Sequence, residues 1–277
     1  LAILTIPDSK KPDTIQVLDD RLLATPALAV ERARAVTVEM ADLARTTLLQ
    51  GMSLTHKWDK DLAEKITEGE RRIDEYEDRL GTYLVRLSSR SLTMEDSHAI
   101  SLLLHTIGDY ERIGDHAVNL MDTAKEIHEK NLQFSESAKK DLSVLESAVQ
   151  EVLDTTITGF EKSDISLANQ VQPLEQVIDD LVRELKSRHI QRLQSGECTI
   201  ELGFVLSDLL TNYERVSDHC SNISVTLEEV ARDRFDTHEY VSKMKEEEGN
   251  DYRRRIEDYH RRFALPEMSL EGKSTTA

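Results

Sequence analysis

The sequence predicts an all-α protein made of two tandem antiparallel three-helix bundles, followed by a charged helix. Composition is the first reason: the 277 residues include only 10 glycines and 5 prolines, and aromatic residues make up 5%. The second reason is that apolar residues recur at alternating steps of three and four, which is typical of helices packed along a seam. The third reason is an internal repeat, in which a polar motif of the first half returns in the second.

The beginning of the chain is predicted to be a linker, covering residues 1–25. It contains turn signals at Pro7 and Pro12 and has no sustained hydrophobic period. Thr25 before Pro26 suits a helix start, with threonine as the N-cap and proline at the first helical position. The first helix is therefore expected to begin at this junction.

From Ala27 to about Phe235 the pattern is helical almost throughout. Breaks are expected near residues 51–55, 88–93, 131–135, 163–173 and 194–199. Six helices result, which form a first three-helix repeat at 26–132 and a second at 133–235. Residues 236–277 are predicted to be a seventh helix, charge-dense and mostly solvated, with a disordered tail from Pro266.

The repeated motif carries the chemistry. Residues 110–120 return as residues 213–223, with Tyr, Glu, Arg, Asp, His and Asn identical at six positions. A looser Glu-x-x-x-Asp copy precedes each of these motifs, so each repeat holds two acidic pairs. The pairs are Glu70 and Asp74, Glu111 and Asp115, Glu175 and Asp179, and Glu214 and Asp218.

Residues four apart project from nearly the same side of a helix, so each pair presents two carboxylates one turn apart. In an antiparallel hairpin, residues equally far from the turn face each other. Across the turn at 88–93, Glu70 therefore faces Asp115 and Asp74 faces Glu111. The second repeat has the same arrangement across the turn at 194–199. Each repeat is predicted to gather four carboxylates, one residue beyond its apolar seam.

Four like charges beside a core would protonate or require a cation. Ligands that offer only oxygen suit hard ions such as iron, manganese, magnesium or calcium. Arg112 and Arg215 offer a second solution, in which salt bridges along the helix face neutralise the carboxylates. A solvated acidic stripe is the third.

The net charge of −18 excludes several functions. A chain this acidic lacks the cationic surface that nucleic-acid binding requires, and anionic lipid headgroups would repel it. Cations or basic protein surfaces are the expected partners. Motifs of a phosphate-binding loop or a nucleophile elbow are absent from the sequence, so we expect a protein that is not an enzyme.

Paired Glu-x-x-x-Asp motifs in two three-helix repeats resemble the PhoU family of phosphate-signalling proteins, over about residues 27–235. Residues 110–120 look like that family's signature. The segment 18–29 is similar to the junction that follows the membrane part of bacterial sodium/phosphate cotransporters with a C-terminal PhoU-like domain. Such an attachment would account for a chain that begins at Leu1 rather than at methionine.

This resemblance implies a regulator of phosphate transport and homeostasis. It implies multinuclear clusters, of iron or zinc, on the Glu/Asp motifs. It also implies docking on a phosphate transporter, which could be the membrane domain of the same polypeptide, and on a sensor kinase. The expected location is the cytoplasmic side of the inner membrane, with a homo-oligomer left open. The implied ligands are Glu70, Asp74, Glu111 and Asp115 in one cluster, and Glu175, Asp179, Glu214 and Asp218 in the other.

Two alternatives belong to other functional classes. One is an acidic helical scaffold that meets a basic partner without any metal. The other is a ferritin-like carboxylate-metal oxidase, which needs Glu-x-x-His strings on core helices. The strings Glu95–His98 and Glu257–His260 are expected at a hairpin turn and on the solvated last helix, away from the carboxylates.

The histidines that follow each motif, His116 and His219, lie about 100° around the helix from the neighbouring aspartates. They are expected to form surface or inter-helix hydrogen bonds rather than to bind a metal. Asn119 and Asn222 continue the acidic stripe, where a role in supporting the ligands and a purely structural role both remain open.

Overall fold

The computed structural model describes residues 18–234 and 238–267, with side chains at all of these except 232–249. Most of the predicted linker and of the predicted disordered tail lies outside the described residues. The helices are a short 3-10 helix at Asp20–Ala24, α1 (Pro26–His56), α2 (Lys60–Ser88), α3 (Met94–Glu129), α4 (Glu136–Lys162), α5 (Ile165–Ser195), α6 (Ile200–Arg234) and α7 (His238–Arg262). The described residues contain no strand, and the predicted all-α class is confirmed.

Helices α1, α2 and α3 pack on one another, and α4, α5 and α6 do the same. The turn between α2 and α3 is set by a capping box: the N–H of Asp96 donates to the Thr93 hydroxyl, and the Asp96 carboxylate accepts from the Thr93 N–H. The turn between α5 and α6 follows Gly196, whose φ of 76° ends α5 in a left-handed conformation. Both hairpins therefore turn where the carboxylate alignment requires.

Two predicted breaks are wrong in extent. Helix α1 continues through Gly51 to His56. The glycine serves helix packing rather than a turn, since an added Cβ would lie 2.8 Å from the Ala117 carbonyl oxygen of α3. The break predicted at 163–173 is confined to Ser163 and Asp164. The Asp164 side chain accepts the first N–H groups of α5, so the helix starts at once and accommodates Pro173 in its interior.

The two halves join mainly through α3 and α6, with α1 against α4. His116 Nδ1 lies 2.8 Å from Asn212 Oδ1, and His219 Nδ1 lies 2.9 Å from Asp109 Oδ1. These two contacts have matching positions in the repeats and show that α3 and α6 run antiparallel. The prediction of inter-helix hydrogen bonds for both histidines is confirmed.

Helix α7 is mostly solvated, as its charge predicted, since most of its described side chains are exposed. It also packs on α5, where Tyr259 and the following Phe263 are buried. Arg262 donates to Glu151 on α4, and Arg188 on α5 donates to the Pro266 carbonyl oxygen. The apolar edge of α7 is narrow, which explains why the charge pattern concealed it.

Candidate metal centres

The first carboxylate group lies on α2 and α3, at the same level across their hairpin. Burial raises the pKa of Glu70, and the negative charges of Asp115 and Asp74 raise it further. The pKa of Glu111 is also raised, first by burial and then by Asp115. These mutual effects place the four predicted side chains in one neighbourhood. Asp74 is exposed, so this group is open to water.

The second group lies on α5 and α6 and is tighter. Ligand oxygens of Glu175, Asp179 and Asp218 all lie within 4.8 Å of one another. In the part of the chain that the structure describes, no other His, Cys, Asp or Glu side chains form so close a group of three or more. The fourth predicted member, Glu214, instead lies with its Oε2 3.7 Å from Lys186 Nζ.

Burial and repulsion act strongly on the second group. Desolvation raises the pKa of Glu175 to about 7, assisted by the charges of Asp179 and Asp218. Desolvation also raises the pKa of Asp179, with Glu214 as the next cause. Asp179 Oδ1 is buried and has no hydrogen-bond partner. A buried carboxylate oxygen without a partner is costly, so a cation is a chemically suitable partner for it.

The buried seam of each hairpin orients the acidic side chains. Ile73 and Ile178 are fully buried immediately before Asp74 and Asp179, and they fix the rotation of α2 and α5. Gly114 gives room to Ile73, since an added Cβ would lie 3.0 Å from the Ile73 Cδ1 atom. The second repeat has a small serine, Ser217, at the matching position.

Arginines partly neutralise both carboxylate groups, which agrees with the predicted salt bridges along the helix face. Arg112 Nη1 lies 3.3 Å from Asp115 Oδ2, and Arg112 Nε lies 3.4 Å from Glu111 Oε2. Arg215 Nη1 lies 3.0 Å from Asp218 Oδ2. Both arginine side chains are more than 60% exposed, so these pairs are weak. Among the described residues, Glu175 and Asp179 form no ion pair.

Three carboxylates with a partnerless buried oxygen fit a hard divalent or trivalent cation. A cleft of about 400 Å³, lined by Glu175, Asp218 and Asn222 among others, opens onto two of the three carboxylates. Asn222 Nδ2 donates to Asp109 at 3.3 Å and so belongs to the interface between the halves. The first group offers the same residue types in a looser and more solvated arrangement.

Helix α7 adds a neighbour that the sequence reasoning missed. Burial raises the pKa of Tyr252 on α7, and the negative charge of Glu175 raises it further. His260 Nε2 lies 3.1 Å from Asp180 Oδ2, next to Asp179 in sequence, so the string Glu257–His260 is nearer the carboxylates than predicted. The three- and four-residue spacing of Tyr252, Ile256, Tyr259 and Phe263 could have revealed this packed edge.

The fold and the two groups define a class of protein: a duplicated three-helix bundle with acidic Glu-x-x-x-Asp pairs on both hairpins. The sequence model of the PhoU domain matches residues 37–124 and 142–226, one match in each repeat. The chain therefore belongs to the PhoU domain family. Helix α7 lies beyond both matches.

Individual relatives agree with this membership. The chain is 23% identical to a phosphate-specific transport system accessory protein PhoU homolog of Thermotoga maritima, over 69% of this chain and 84% of that protein. It is 25% identical to the phosphate-specific transport system accessory protein PhoU of Escherichia coli, over 70% of this chain and 80% of that protein.

Solved structures share the fold. The crystal structure of PhoU from Pseudomonas aeruginosa superposes with a TM-score of 0.68 and 22% identity, covering 73% of this chain and 96% of that one. The phosphate transport system regulatory protein PhoU from Streptococcus pneumoniae gives 0.66 and 18%, covering 75% and 97%. Within the described residues, no helix has both the length and the apolar character needed to cross a bilayer.

Proposed function

We propose that this protein regulates phosphate transport and that its carboxylate groups bind metal ions. Family membership and the accessory role in the names of its relatives support the regulatory part. The metal would be held by Glu175, Asp179 and Asp218 in the second repeat, with Glu214 within reach of the group. In the first repeat the candidates are Glu70, Asp74, Glu111 and Asp115.

One observation carries the metal proposal: three carboxylates converge within 4.8 Å while a buried Asp179 oxygen has no partner. Without a cation, such a group is stable only if a carboxyl takes a proton, as the raised pKa of Glu175 indicates. A bound ion would neutralise the group at neutral pH. It would also tie α5 to α6, while the rest of the carboxylate face stays available to a partner.

The proposed partner is a phosphate transporter, and specifically a sodium/phosphate cotransporter membrane part joined upstream of this domain. The resemblance of segment 18–29 to such a junction supports the idea. Leu23 is buried and Asp20 pairs with Arg86 at 2.8 Å, so the chain that enters α1 is held on the first bundle. A membrane domain joined upstream would then act on the bundle through the segment that leads into α1.

Metal analysis of the purified protein tests the metal proposal. After reconstitution with manganese or ferrous iron and gel filtration, we expect stoichiometric metal in the wild type and a clear loss in Asp179→Asn with Asp218→Asn. The control is Glu64→Gln with Glu68→Gln, an exposed pair with the same four-residue spacing on α2. Metal at background in the wild type would contradict the proposal.

Phosphate uptake tests the regulatory part independently. Cells that carry the wild-type protein should adjust uptake when external phosphate changes, and cells that carry the Asp179/Asp218 variant should lose part of that adjustment. The Glu64/Glu68 variant serves as the matched control. Unchanged uptake in a strain without the protein would remove the assignment to phosphate transport.

An acidic scaffold without metal is the second candidate, and the Arg112 and Arg215 salt bridges favour it. Binding of a basic partner would then weaken with added salt and ignore chelators. A metal-dependent interaction would respond to chelators instead. The oxidase alternative lacks support, because the close carboxylate group found among the described residues contains no histidine.

A further inference from the structure

A second cavity lies far from the carboxylates, where the two halves of the molecule meet. Its volume is about 620 Å³, and it is enclosed by the end of α1, the end of α3, and parts of α4 and α6. This volume falls within the range of small-molecule sites in proteins. Nothing in the metal proposal uses it.

The inner wall of the cavity is apolar and includes the buried Leu54, Leu142 and Leu209. Aromatic rings also line it. Trp58 stacks on His128 with ring centroids 5.9 Å apart and planes 15° apart, so both rings are held in place. The cavity therefore offers a surface against which a flat or apolar body can pack.

A hydrogen-bonded network keeps the two halves in place around the cavity. Glu146 on α4 is buried, and its Oε1 accepts from the Tyr213 hydroxyl at 3.0 Å. Its Oε2 lies 2.9 Å from His56 Nε2 at the end of α1. The hydrogen bond with Glu146 raises the pKa of His56, which favours the imidazolium. The single acidic group of the lining is thus already engaged by Tyr213 and His56.

The remaining charge of the lining is positive. Lys57 and Lys139 reach the cavity, and His128 forms part of its wall. Lys57 forms no ion pair with any residue that the structure describes, and Lys139 pairs with the highly exposed Glu136 outside the cavity. The two lysines bring positive charge to this cavity in a chain whose net charge is −18. An anion bound here would meet both charge complementarity and apolar contact.

We infer that this cavity binds a small organic anion with an aromatic or similarly flat apolar body. The anionic group would lie between Lys57 and Lys139 at the mouth, and the apolar body would pack on Trp58 and the leucine floor. Because both halves line the cavity, such a ligand would also stabilise their contact. This inference stands apart from the proposed function and does not require a metal.

Trp58 is the only tryptophan of the chain and therefore reports on the cavity. The probe is anilinonaphthalene sulfonate, an aromatic anion that accepts excitation energy from tryptophan. Phenylnaphthylamine has the same aromatic body without the charge and serves as the neutral comparison. We expect saturable energy transfer from Trp58 to the anionic probe at low salt, with clearly weaker binding of the neutral one.

Charge removal tests the assignment. Lys57→Gln with Lys139→Gln should weaken binding of the anionic probe about tenfold and leave the neutral probe unchanged. Lys140→Gln is the matched control, since Lys140 neighbours Lys139 in sequence but does not line the cavity. Both lysines of the double variant are exposed, so the fold should persist, which circular dichroism checks.

Three outcomes would overturn the inference. They are equal affinity for the two probes, anion binding that the double variant leaves intact, and probe fluorescence without energy transfer from Trp58. Any of these would mean that the probe binds by apolar contact alone or binds elsewhere. A chelator should not alter the titration, so failure here is distinct from failure of the metal proposal.

Discussion

The two carboxylate groups have the same sequence pattern but different physical surroundings. In the first, Asp74 is exposed and Arg112 lies near both Glu111 and Asp115. In the second, Asp179 has a buried oxygen without a partner, and the pKa of Glu175 is raised to about 7. Duplication of a motif therefore does not duplicate its chemistry, because the electrostatic cost of a carboxylate depends on what covers it.

Helix α7 is one structural difference between the surroundings of the two groups. It packs on α5, brings Tyr252 beside Glu175 and has no counterpart in the first repeat. The desolvation of Glu175 strengthens the repulsion among the charges of the second group. The second group should therefore gain more from a bound cation than the first.

The largest expected effect is stabilisation by metal. With manganese at about a hundred times its dissociation constant, a bound site adds about 2.7 kcal/mol to the free energy of unfolding. We expect Asp179→Asn to remove more of this gain than Asp74→Asn, as measured by thermal melting with manganese or with chelator. Equal losses in the two variants would show that the groups are equivalent despite their different cover.

The next effect concerns the cover itself. Phe263→Ala should lower the free energy of unfolding by about 2 kcal/mol, less than a central core phenylalanine, because Phe263 anchors the edge of α7. Urea denaturation measures this change, with Arg253→Ala at an exposed position of α7 as the control. Metal affinity should change in the second group and stay constant in the first, and a change in both groups would contradict the local role of α7.

The third effect is a dependence on pH. The folded pKa of Glu175, about 7, lies above its ordinary value of 4.5, so ionisation opposes folding as pH rises through this interval. In chelator at pH 8, Glu175→Gln should raise the free energy of unfolding by about 1 kcal/mol, reduced for its half-exposed position. The gain should vanish near pH 4, and Glu70→Gln should show less of it. Urea denaturation at pH 8 and pH 4 measures the free energy of unfolding of both proteins. A Glu175→Gln variant that is less stable than the wild type at pH 8 would contradict this prediction.

The smallest effect is that of the arginines. Arg112→Gln and Arg215→Gln should each change the free energy of unfolding by less than about 0.5 kcal/mol, because both side chains are exposed. Arg112→Gln releases two carboxylates and should tighten metal binding in the first group, measured by titration. A loss of stability well above this limit would mean that the salt bridges, and not a cation, hold the carboxylates together.

Much of the fold was predictable because its signals are local. The apolar seam is read from residues three and four apart, and the turns are read from short runs of neighbouring residues. The hairpin alignment of Glu70 with Asp115 followed from the turn position alone. Breaks were predicted wrongly at Gly51 and Pro173. The role of Gly51 is set by a neighbouring helix, and Pro173 is buried in the core.

By itself, the sequence determined the helices, the duplication and the levels at which eight acidic side chains face one another, since helical periodicity and turn position are properties of the chain. Only the tertiary structure decided which group is tight, which oxygen is buried without a partner, and that α7 covers one repeat alone. It also decided where Lys57, Lys139 and Trp58 meet around one cavity. Desolvation and contact between distant segments depend on packing, and packing joins residues that sequence distance keeps apart.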